Sequence, residues 1–566
     1  MKSLAAKSLP FLIVFACAVL PWIDTLNYPF LLDDQMTVVT NPLLAGGKVD
    51  ASGIFTSTGW GDVPEYSHVA NYRPLSLLTV ALTRAVSGLN PVPFRVTNVA
   101  LYAILCLMVL WLILSFGAHP AVATLAAAWF ALHGTHVETV MFVVNREIML
   151  ASIFYVGGLL LVVRRSGFGR SAARDDGSAG SPGRQAAWTP ASLAALGLIS
   201  LAGMMSKESA VTMPFAAAVI TLVSRPRGVP VRARVLPVVV LGVSVAVYFA
   251  IRYAALGRVM ATVIPWQDNP LVLTGTTGRL AGAMQVLGEA TRLLLAPFNM
   301  TVDYSFDVLG LPGPPPGAPW PAILTGVLII VATVVAFVAA LKRHSPAWAG
   351  ILVMALSWGL VSSIVFPSWI ILGERLLTEP SIGMAVAIAA AIEAIRVRKA
   401  GSPSVATLAA CTILACWALM QGALTLDRIP DFRSGERLYQ SSLANRPGST
   451  RLYNNLGNEM VITGRWAEAE PYLRAAIAID PANAEAHVNL GLVLANAGRP
   501  ASGAAEMVEA LRHRPNMPSA LVNLCILLVS QQDYQSAIPF CEKAQKRGGD
   551  VSKFLDAARS GTPPED

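Results

Sequence analysis

The sequence predicts an all-α, polytopic membrane protein with a helical-repeat domain at its C-terminal end, and three observations support this prediction. First, 54% of the 566 residues are hydrophobic and 13% are charged, whereas about a quarter of the residues in soluble domains are charged. Second, long apolar stretches recur up to residue 426. Third, a period of 34 residues appears in the remainder of the chain, which is typical of stacked helical repeats.

The apolar stretches within residues 1–426 define the predicted membrane domain. A helix needs about 20 predominantly apolar residues to cross the hydrocarbon core, and about eleven segments approach this length. No small-residue cleavage site follows the first segment, so we expect it to remain as an anchor. The predicted spans are residues 9–26, 94–115, 119–135, 147–163, 189–205, 210–224, 235–251, 320–341, 346–366, 379–395 and 403–424.

The net charge of +8 comes largely from basic clusters beside the predicted spans. Lys and Arg are enriched in cytoplasmic loops, and every cluster falls on the inner side if the N-terminus is inside. This placement argues against a nucleic-acid-binding surface. The clusters lie within residues 164–165, 225–234, 342–343 and 396–399.

Residues 281–297 are apolar but contain Glu289 and Arg292. If they crossed the membrane, the later basic clusters would lie outside, so we expect a helix at the outer surface. The resulting topology has the N-terminus inside and the C-terminus outside. Its long connections are two outer loops, 27–93 and 252–319, and a flexible cytoplasmic linker, 167–186.

The 34-residue period begins after a change to soluble composition near Asp427. Pro481 and Pro515 are one period apart, and two further rows of residues recur with them. These rows are Gly457, Gly491 and Cys525, and Ala476, Ala510 and Ala544. The pattern is that of tetratricopeptide repeats, which form curved surfaces that bind extended chains. We predict a linker with one degenerate repeat helix at 427–449, three repeat units at 450–551 and a tail at 552–566.

Asn455, Asn489 and Asn523 recur at one position of the repeat. A carboxamide offers both a donor and an acceptor, so a row of them can bind the backbone of an acceptor peptide. Ordinary consensus for this repeat explains the same row equally well.

Cys525 and Cys541 lie on the paired helices of the last unit, at positions that usually face each other. In an oxidising compartment they can form a disulfide. Two buried thiols are the alternative.

Several ionisable motifs fall on the outer side in this topology. A scaffold has no need for so many charges at one depth, although single motifs also fit interfacial anchors or local ion pairs. His133 and His136 with Glu138 do not have the spacing of a common zinc site, so no metal is expected there, while assistance of the reaction by a divalent metal stays open. The motif residues are Asp33, Asp34, Arg73, His133, His136, Glu138, Arg146, Lys207, Glu208, Glu374 and Arg375, and a further pair is Asp303 and Tyr304.

The charges divide by chemistry. The four cations Arg73, Arg146, Lys207 and Arg375 can hold a phosphate or diphosphate. Asp33 or Asp34 can take a proton from an attacking hydroxyl, because repulsion between neighbouring carboxylates raises one pKa. The expected reaction is transfer from a lipid-phosphate donor to a hydroxyl.

The ordered set of motifs resembles the transmembrane and tetratricopeptide-repeat-containing O-mannosyltransferases, within the superfamily C glycosyltransferases (GT-C). The motifs that carry the resemblance are Asp33-Asp34, Tyr72–Leu75, His133-x-x-His136-x-Glu138, Lys207-Glu208, Glu374–Leu377 and the repeats. The resemblance implies a GT-C-like helix arrangement, a polyprenyl-phosphate donor of mannose or a similar hexose, inversion at the sugar carbon and no metal cofactor. It also implies a catalytic acidic residue in the first outer loop, Asp33 or Asp34, with a slight preference for Asp34. The remaining motif residues would then bind substrate.

The Ala- and Arg-rich composition and short loops indicate a bacterium. We therefore expect an inner-membrane protein with its repeats in the periplasm and an undecaprenyl-phosphate donor; a eukaryotic homologue would use the endoplasmic reticulum membrane, its lumen and a dolichyl-phosphate donor. Three functions stay open: glycosylation of an exported protein, glycosylation of a lipid or glycan by the same fold, and a non-catalytic membrane scaffold that presents the repeats to a partner protein.

Overall fold

The computed structural model describes residues 2–47, 49–59, 71–166, 188–223, 231–259, 264, 268–304, 320–364, 367–397 and 404–564. All regular elements within these ranges are helical, which confirms the all-α class. They form two compact units. The first contains the described residues up to 300 and those of 311–433, and the second contains those of 301–310 and 434–566. The predicted linker 167–186 lies outside the described residues.

The first unit contains fifteen α-helices within the described ranges. They are α1 (Lys2–Val19), α2 (Ala51–Thr56), α3 (Pro74–Ser87), α4 (Pro91–Ser115), α5 (Pro120–Ala131), α6 (His136–Met141), α7 (Arg146–Ser166), α8 (Pro190–Ser206), α9 (Thr212–Val223), α10 (Val231–Leu256), α11 (Thr276–Leu295), α12 (Trp320–Lys342), α13 (Ala347–Val361), α14 (Thr378–Val397) and α15 (Val405–Arg428).

Seven helical stretches in the described residues are long and apolar enough to cross a membrane. They are Ser8–Thr25, Pro91–Ser115, Arg146–Arg165, Arg234–Leu256, Trp320–Lys342, Glu374–Arg396 and Val405–Arg433. Each coincides with a predicted span, and the other four predicted spans coincide with shorter apolar helices. The membrane character is confirmed, and the total of eleven spans stays a prediction. Helix α11, the predicted surface helix, is not among the seven.

Local sequence explains where several helices begin and how closely they pack. The side chain of Asn90 accepts from the Val92 N–H before Pro91 opens α4, and Thr189 and Ser192 form a capping box at α8; both devices satisfy free N–H groups. Between α13 and α14, a Cβ on Gly350 would lie 2.5 Å from the Gly383 carbonyl oxygen. The two helices therefore touch backbone to backbone.

Contacts between helix ends define one end of the first unit where the ionisable motifs lie. The Thr425 hydroxyl donates to the Leu132 carbonyl at 2.8 Å, and the Trp417 indole N–H donates to the Leu295 carbonyl at 2.7 Å. The C-terminal ends of α5 and α15 therefore meet, and the C-terminal end of α11 lies against the middle of α15. At the opposite end, the Arg164 guanidinium lies 3.9 Å from the Trp111 ring centroid. These pairings agree with the predicted alternation of helix direction.

The second unit is a stack of helical pairs. Helix α16 (Gly435–Asn445) precedes the pairs α17 (Thr450–Ile462) with α18 (Trp466–Ile479), α19 (Ala484–Asn496) with α20 (Pro500–His513) and α21 (Pro518–Ser530) with α22 (Tyr534–Lys546), and α23 (Ser552–Ser560) follows. Gly464 and Gly498 turn the chain within the first two pairs with φ of 77° and 75°, a conformation that favours glycine. The predicted tail thus contains a helix, which packs on the last pair.

An ion pair recurs between successive repeats. Arg465 contacts Glu436 at 2.6 Å, and Arg499 contacts Glu470, one period later, at 2.5 Å. Because Glu436 holds the position that Glu470 holds on α18, helix α16 takes the place of the second helix of an earlier unit.

Cys525 and Cys541 are joined in a disulfide between α21 and α22. In the preceding unit the equivalent positions are Gly491 and Met507, and a Cβ on Gly491 would lie 2.9 Å from the Met507 side chain. Where the preceding unit packs a small residue against a long one, the last unit has two bonded cysteines.

Asp303, predicted among the outer-face motifs, belongs to the second unit. Its carboxylate accepts from the Ser449 hydroxyl and lies 3.5 Å from the Arg451 guanidinium. It therefore anchors its segment to the first repeat helix, within the second unit.

Candidate active site

The adjacent acids Asp33 and Asp34 have opposite environments. Asp33 is exposed, whereas Asp34 is fully buried. The preceding residue, Leu32, has a φ of 49°, in the left-handed region that costs a bulky side chain energy. This turn sends one carboxylate to the surface and the next into the protein.

Asp34 is held by groups from the turn between α6 and α7 and from α4. Its Oδ1 accepts from the Val144 N–H at 2.9 Å, and its Oδ2 lies 3.8 Å from Nη2 of Arg95. Burial raises the pKa of Asp34 to about 6, although Arg95 and the amides of Val143 and Val144 act in the opposite direction. Asp34 is therefore an internal anchor for the turn that presents Asp33.

Arg95 is a residue that sequence analysis missed. It is the fifth residue of α4, is 2% exposed, and donates from Nη2 to the Pro29 carbonyl at 2.6 Å. The available signal was a basic residue at the outer end of a span, opposite an acidic pair in the preceding loop.

Three motif residues form one ion-pair network with Glu147 and Arg252. Arg73 donates to Glu147 at 2.5 Å through Nη1 and to Glu208 at 2.9 Å through Nε. The Lys207 ammonium lies 3.2 Å from the other Glu147 oxygen, and Arg252 on α10 lies 3.6 Å from Glu208. Arg73, Lys207 and Glu208 were predicted, whereas Glu147 and Arg252 were not assigned a role. Each carboxylate bridges two cations from different segments.

Arg375 interacts electrostatically with Lys207 and Glu147 of this network. Its guanidinium pairs with Glu138, and its backbone N–H donates to the same carboxylate at 3.1 Å. The charge of Asp33 acts on Arg375. Burial lowers the pKa of Lys207, and Arg73 and Arg375 are near enough to lower it further, opposed by Glu147 and Glu379. Arg73, Lys207, Arg375 and Asp33 therefore lie in one region.

The three cations remain partly open to solvent: the side chains of Arg73, Lys207 and Arg375 are 23%, 10% and 19% exposed. Within the described residues, Nη2 of Arg73 has no protein hydrogen-bond partner. A group of cations with free donors beside an exposed carboxylate can hold an anion and place a base next to it.

Arg146, predicted with these cations, is instead fully buried. It donates to Asn98 at 3.1 Å, to the Thr79 carbonyl at 2.9 Å and to the Thr83 hydroxyl at 3.1 Å. These partners lie on α3 and α4, so Arg146 ties them to the start of α7. Arg146 is therefore part of the packed interior and does not line an open anion site.

His133 and His136 are buried with both ring nitrogens of each in contact with protein groups. His136 lies 2.8 Å from the Tyr102 hydroxyl and 3.0 Å from the Ser381 hydroxyl. Ser381 itself donates to the Thr378 carbonyl at 2.7 Å, and the Tyr102 hydroxyl also lies 2.9 Å from the Ala131 carbonyl. Burial lowers the pKa of His136 well below its usual value. His133 contacts the Leu294 carbonyl through Nε2 and Thr135 through Nδ1. Both histidines link helices in this arrangement.

Glu374 is fully buried beside Arg375.

Within the described part of the chain, no group of three or more His, Cys, Asp or Glu side chains is placed to hold a metal ion.

The asparagine side chains of the carboxamide row in the second unit are partly occupied by hydrogen bonds with other asparagines. Asn489 donates to Asn454 at 2.9 Å, and Asn454 lies 3.4 Å from Asn455. Asn455, Asn489 and Asn523 are each half-buried. The row is therefore continuous between the first two units, with side chains still reachable from solvent.

Comparisons with known proteins agree with both parts of the chain. Two repeat-family profiles match the second unit, described as "TPR repeat" over residues 457–498 and "Tetratricopeptide repeat" over residues 488–551. Protein O-mannosyl-transferase TMTC3 of Mus musculus is 24% identical over 83% of this chain and 51% of its own length. The Homo sapiens protein of that name is 24% identical over 80% and 49%. The chain spans about half the length of these relatives.

Two solved structures match about a quarter of this chain. One, titled "Functional Characterization of Pseudomonas Aeruginosa pilF", is 22% identical over 28% of this chain and 78% of its own, with a TM-score of 0.20. Another, titled "Crystal structure of YrrB: a TPR protein with an unusual peptide-binding site", is 19% identical over 27% and 81%, with a TM-score of 0.21. The chain is thus a homologue of proteins named protein O-mannosyl-transferase, which confirms the resemblance in its motifs, and it carries tetratricopeptide repeats.

Proposed function

We propose that this protein is a membrane glycosyltransferase that moves a sugar, mannose or a similar hexose, from a polyprenyl-phosphate donor to a hydroxyl of an exported protein. One observation carries the proposal: the exposed Asp33 adjoins Asp34, whose carboxylate binds the Val144 amide, three residues before the Glu147 that contacts Arg73 and Lys207. The names of the relatives support the transferase class.

The proposed reaction is a single displacement with inversion. The acceptor oxygen attacks the anomeric carbon as the bond from that carbon to the phosphate oxygen breaks. Asp33 takes the proton from the acceptor hydroxyl, and the polyprenyl phosphate leaves with one more negative charge than it had in the donor. Arg73, Lys207 and Arg375 stabilise that charge, because cations positioned where charge develops lower the barrier.

The structure favours Asp33 over Asp34 as the base. A base must reach the proton that it abstracts, and Asp34 is fully buried with one oxygen bound to the Val144 amide. We therefore assign Asp33 the proton transfer and Asp34 the anchoring of the turn, which reverses the slight preference for Asp34 drawn from the family resemblance.

The repeat unit supports a polypeptide acceptor. Tetratricopeptide stacks bind extended chains, and the row of Asn455, Asn489 and Asn523 offers paired donors and acceptors for a peptide backbone. The disulfide between Cys525 and Cys541 suits an oxidising compartment. We therefore place the repeats in the periplasm, or in the lumen of the endoplasmic reticulum in a eukaryote.

The test is transfer of labelled mannose from undecaprenyl-phosphate mannose by the full chain in lipid nanodiscs, with periplasmic proteins as acceptors. Label in protein supports the proposal. Label found in lipid or glycan alone favours the second acceptor class. No transfer from this donor, with protein shown to be folded, contradicts the proposed reaction and favours the scaffold.

A further inference from the structure

Glu147 lies at the centre of the cation group, although the proposed reaction gives it no chemical step. It stands in the first turn of α7, where the helix dipole favours a carboxylate, and its side chain is 7% exposed. Both oxygens are used: one accepts from Arg73 at 2.5 Å and the other lies 3.2 Å from the Lys207 ammonium. It therefore connects cations from two different segments.

The bridge leaves donors available on both cations. Arg73 uses Nη1 for Glu147 and Nε for Glu208, so Nη2 is not committed to either carboxylate. The Lys207 ammonium has three N–H donors, and it forms one ion pair with Glu147. Without a bridging carboxylate, two cations in one partly buried region repel each other. Glu147 thus fixes their positions without consuming all of their hydrogen-bonding capacity.

We propose that Glu147 is a positioning residue that bridges Arg73 and Lys207 so that the two cations bind the donor phosphate together. This inference rests on the proposed function, because it names how that site holds its donor. Glu147 does not touch the reacting atoms; it acts through Arg73 and Lys207.

The charged groups around Lys207 give the inference a pH signature. Those that act on it are Glu147, Arg73, Arg375 and Glu379. Burial and the two arginines lower the pKa of Lys207, whereas Glu147 and Glu379 raise it. Removal of the Glu147 charge therefore lowers this pKa further. The Lys207 ammonium then loses its proton at a lower pH than in the wild type.

The experiment compares Glu147→Gln with Glu289→Gln, a matched control. Glu289 also pairs with an arginine, Arg292 at 2.7 Å, but on α11. We expect Glu147→Gln to raise the KM for undecaprenyl-phosphate mannose about tenfold or more, with a smaller change in kcat. The alkaline limb of kcat/KM should move down by about 1 to 3 pH units. Glu289→Gln should keep the wild-type KM and pH profile.

Two further variants separate positioning from folding. Glu147→Asp keeps the charge, and its alkaline limb should stay near that of the wild type. In a Lys207→Gln background, Glu147→Gln should produce no further shift of that limb, since the titrating group is absent. A Glu147→Gln variant whose KM and limb match those of Glu289→Gln overturns the inference, as does a shift that persists without Lys207.

Binding of undecaprenyl phosphate to the nanodisc-embedded protein distinguishes this inference from the proposed reaction. If the wild type binds it but transfers no sugar, the reaction fails, and weaker binding by Glu147→Gln than by Glu289→Gln still supports the positioning role. Equal binding by the two variants, or no binding by the wild type, contradicts that role.

Discussion

The Arg95 guanidinium lies 3.8 Å from the buried carboxylate of Asp34, and the next carboxylate along the chain toward the N-terminus, Asp33, is exposed. The pair connects the turn after the first span to the N-terminal part of α4. Two chemically identical acids that are adjacent in sequence therefore differ in environment: one is buried in an ion pair and the other is open to solvent.

Arg95→Met should destabilise the protein by about 3 to 5 kcal/mol, because removal of one partner leaves the other charge buried without compensation. The measurement is thermal unfolding in detergent, followed by intrinsic fluorescence. Arg95→Met combined with Asp34→Asn should recover part of the loss. An Arg95→Met variant with unchanged stability would show that the pair does not hold the turn.

The stability should also depend on the protonation of Asp34. Its folded pKa of about 6 lies above its ordinary value of 3.8, so the folded state binds the proton more tightly than the unfolded state does. The contribution of this group is therefore fully present below about pH 3.8 and is lost as the pH rises through 6, a difference of roughly 3 kcal/mol. The difference in melting temperature between wild type and Asp34→Asn should change across this window. A constant difference from pH 4 to pH 7 contradicts the assignment.

Arg146 should behave as a packing residue. Arg146→Met leaves Asn98, Thr79 and Thr83 without their donor, and we expect a loss of about 3 kcal/mol or more in stability. The KM of the surviving folded protein for the lipid donor should stay within a factor of about two, since the side chain does not reach the open cations. A large rise in KM at unchanged stability would return Arg146 to the phosphate site.

The disulfide of the last repeat should stabilise the second unit. Cys525 and Cys541 are 16 residues apart, and a loop of this length is worth about 3 kcal/mol when closed. Cys525→Gly with Cys541→Met rebuilds the pair found in the preceding unit, at Gly491 and Met507, and should be more stable than the double alanine variant. Identical melting temperatures with and without reductant would contradict this contribution.

Much of the architecture was predictable because it depends on local patterns. Each predicted span coincides with an apolar helix, and the 34-residue period located the three repeat pairs, since both signals repeat within short stretches of sequence. The additional helix Ser552–Ser560 carries no such repeat signal and was predicted as a tail.

The site was only partly predictable, because its contacts join distant segments. Sequence grouped Arg73, Lys207 and Arg375 by charge and side, but the same rule also admitted Arg146, which the fold turns inward. It could not separate Asp33 from Asp34, since their difference comes from the turn at Leu32 and the amide of Val144. Arg95, Glu147 and Arg252 act through partners more than 40 residues away in sequence, so spacing gave no sign of them.

The most direct test of this account compares Asp33→Asn, Asp34→Asn and Asp50→Asn in the sugar-transfer assay with the full chain in nanodiscs. Asp50 is an exposed acid of the same loop that caps helix α2, so its variant controls for loss of loop charge. We expect Asp33→Asn to lower kcat by about 100-fold or more with wild-type stability and donor KM, Asp34→Asn to alter mainly stability and its pH dependence, and Asp50→Asn to transfer sugar normally. Full transfer by Asp33→Asn would contradict the assignment of the base.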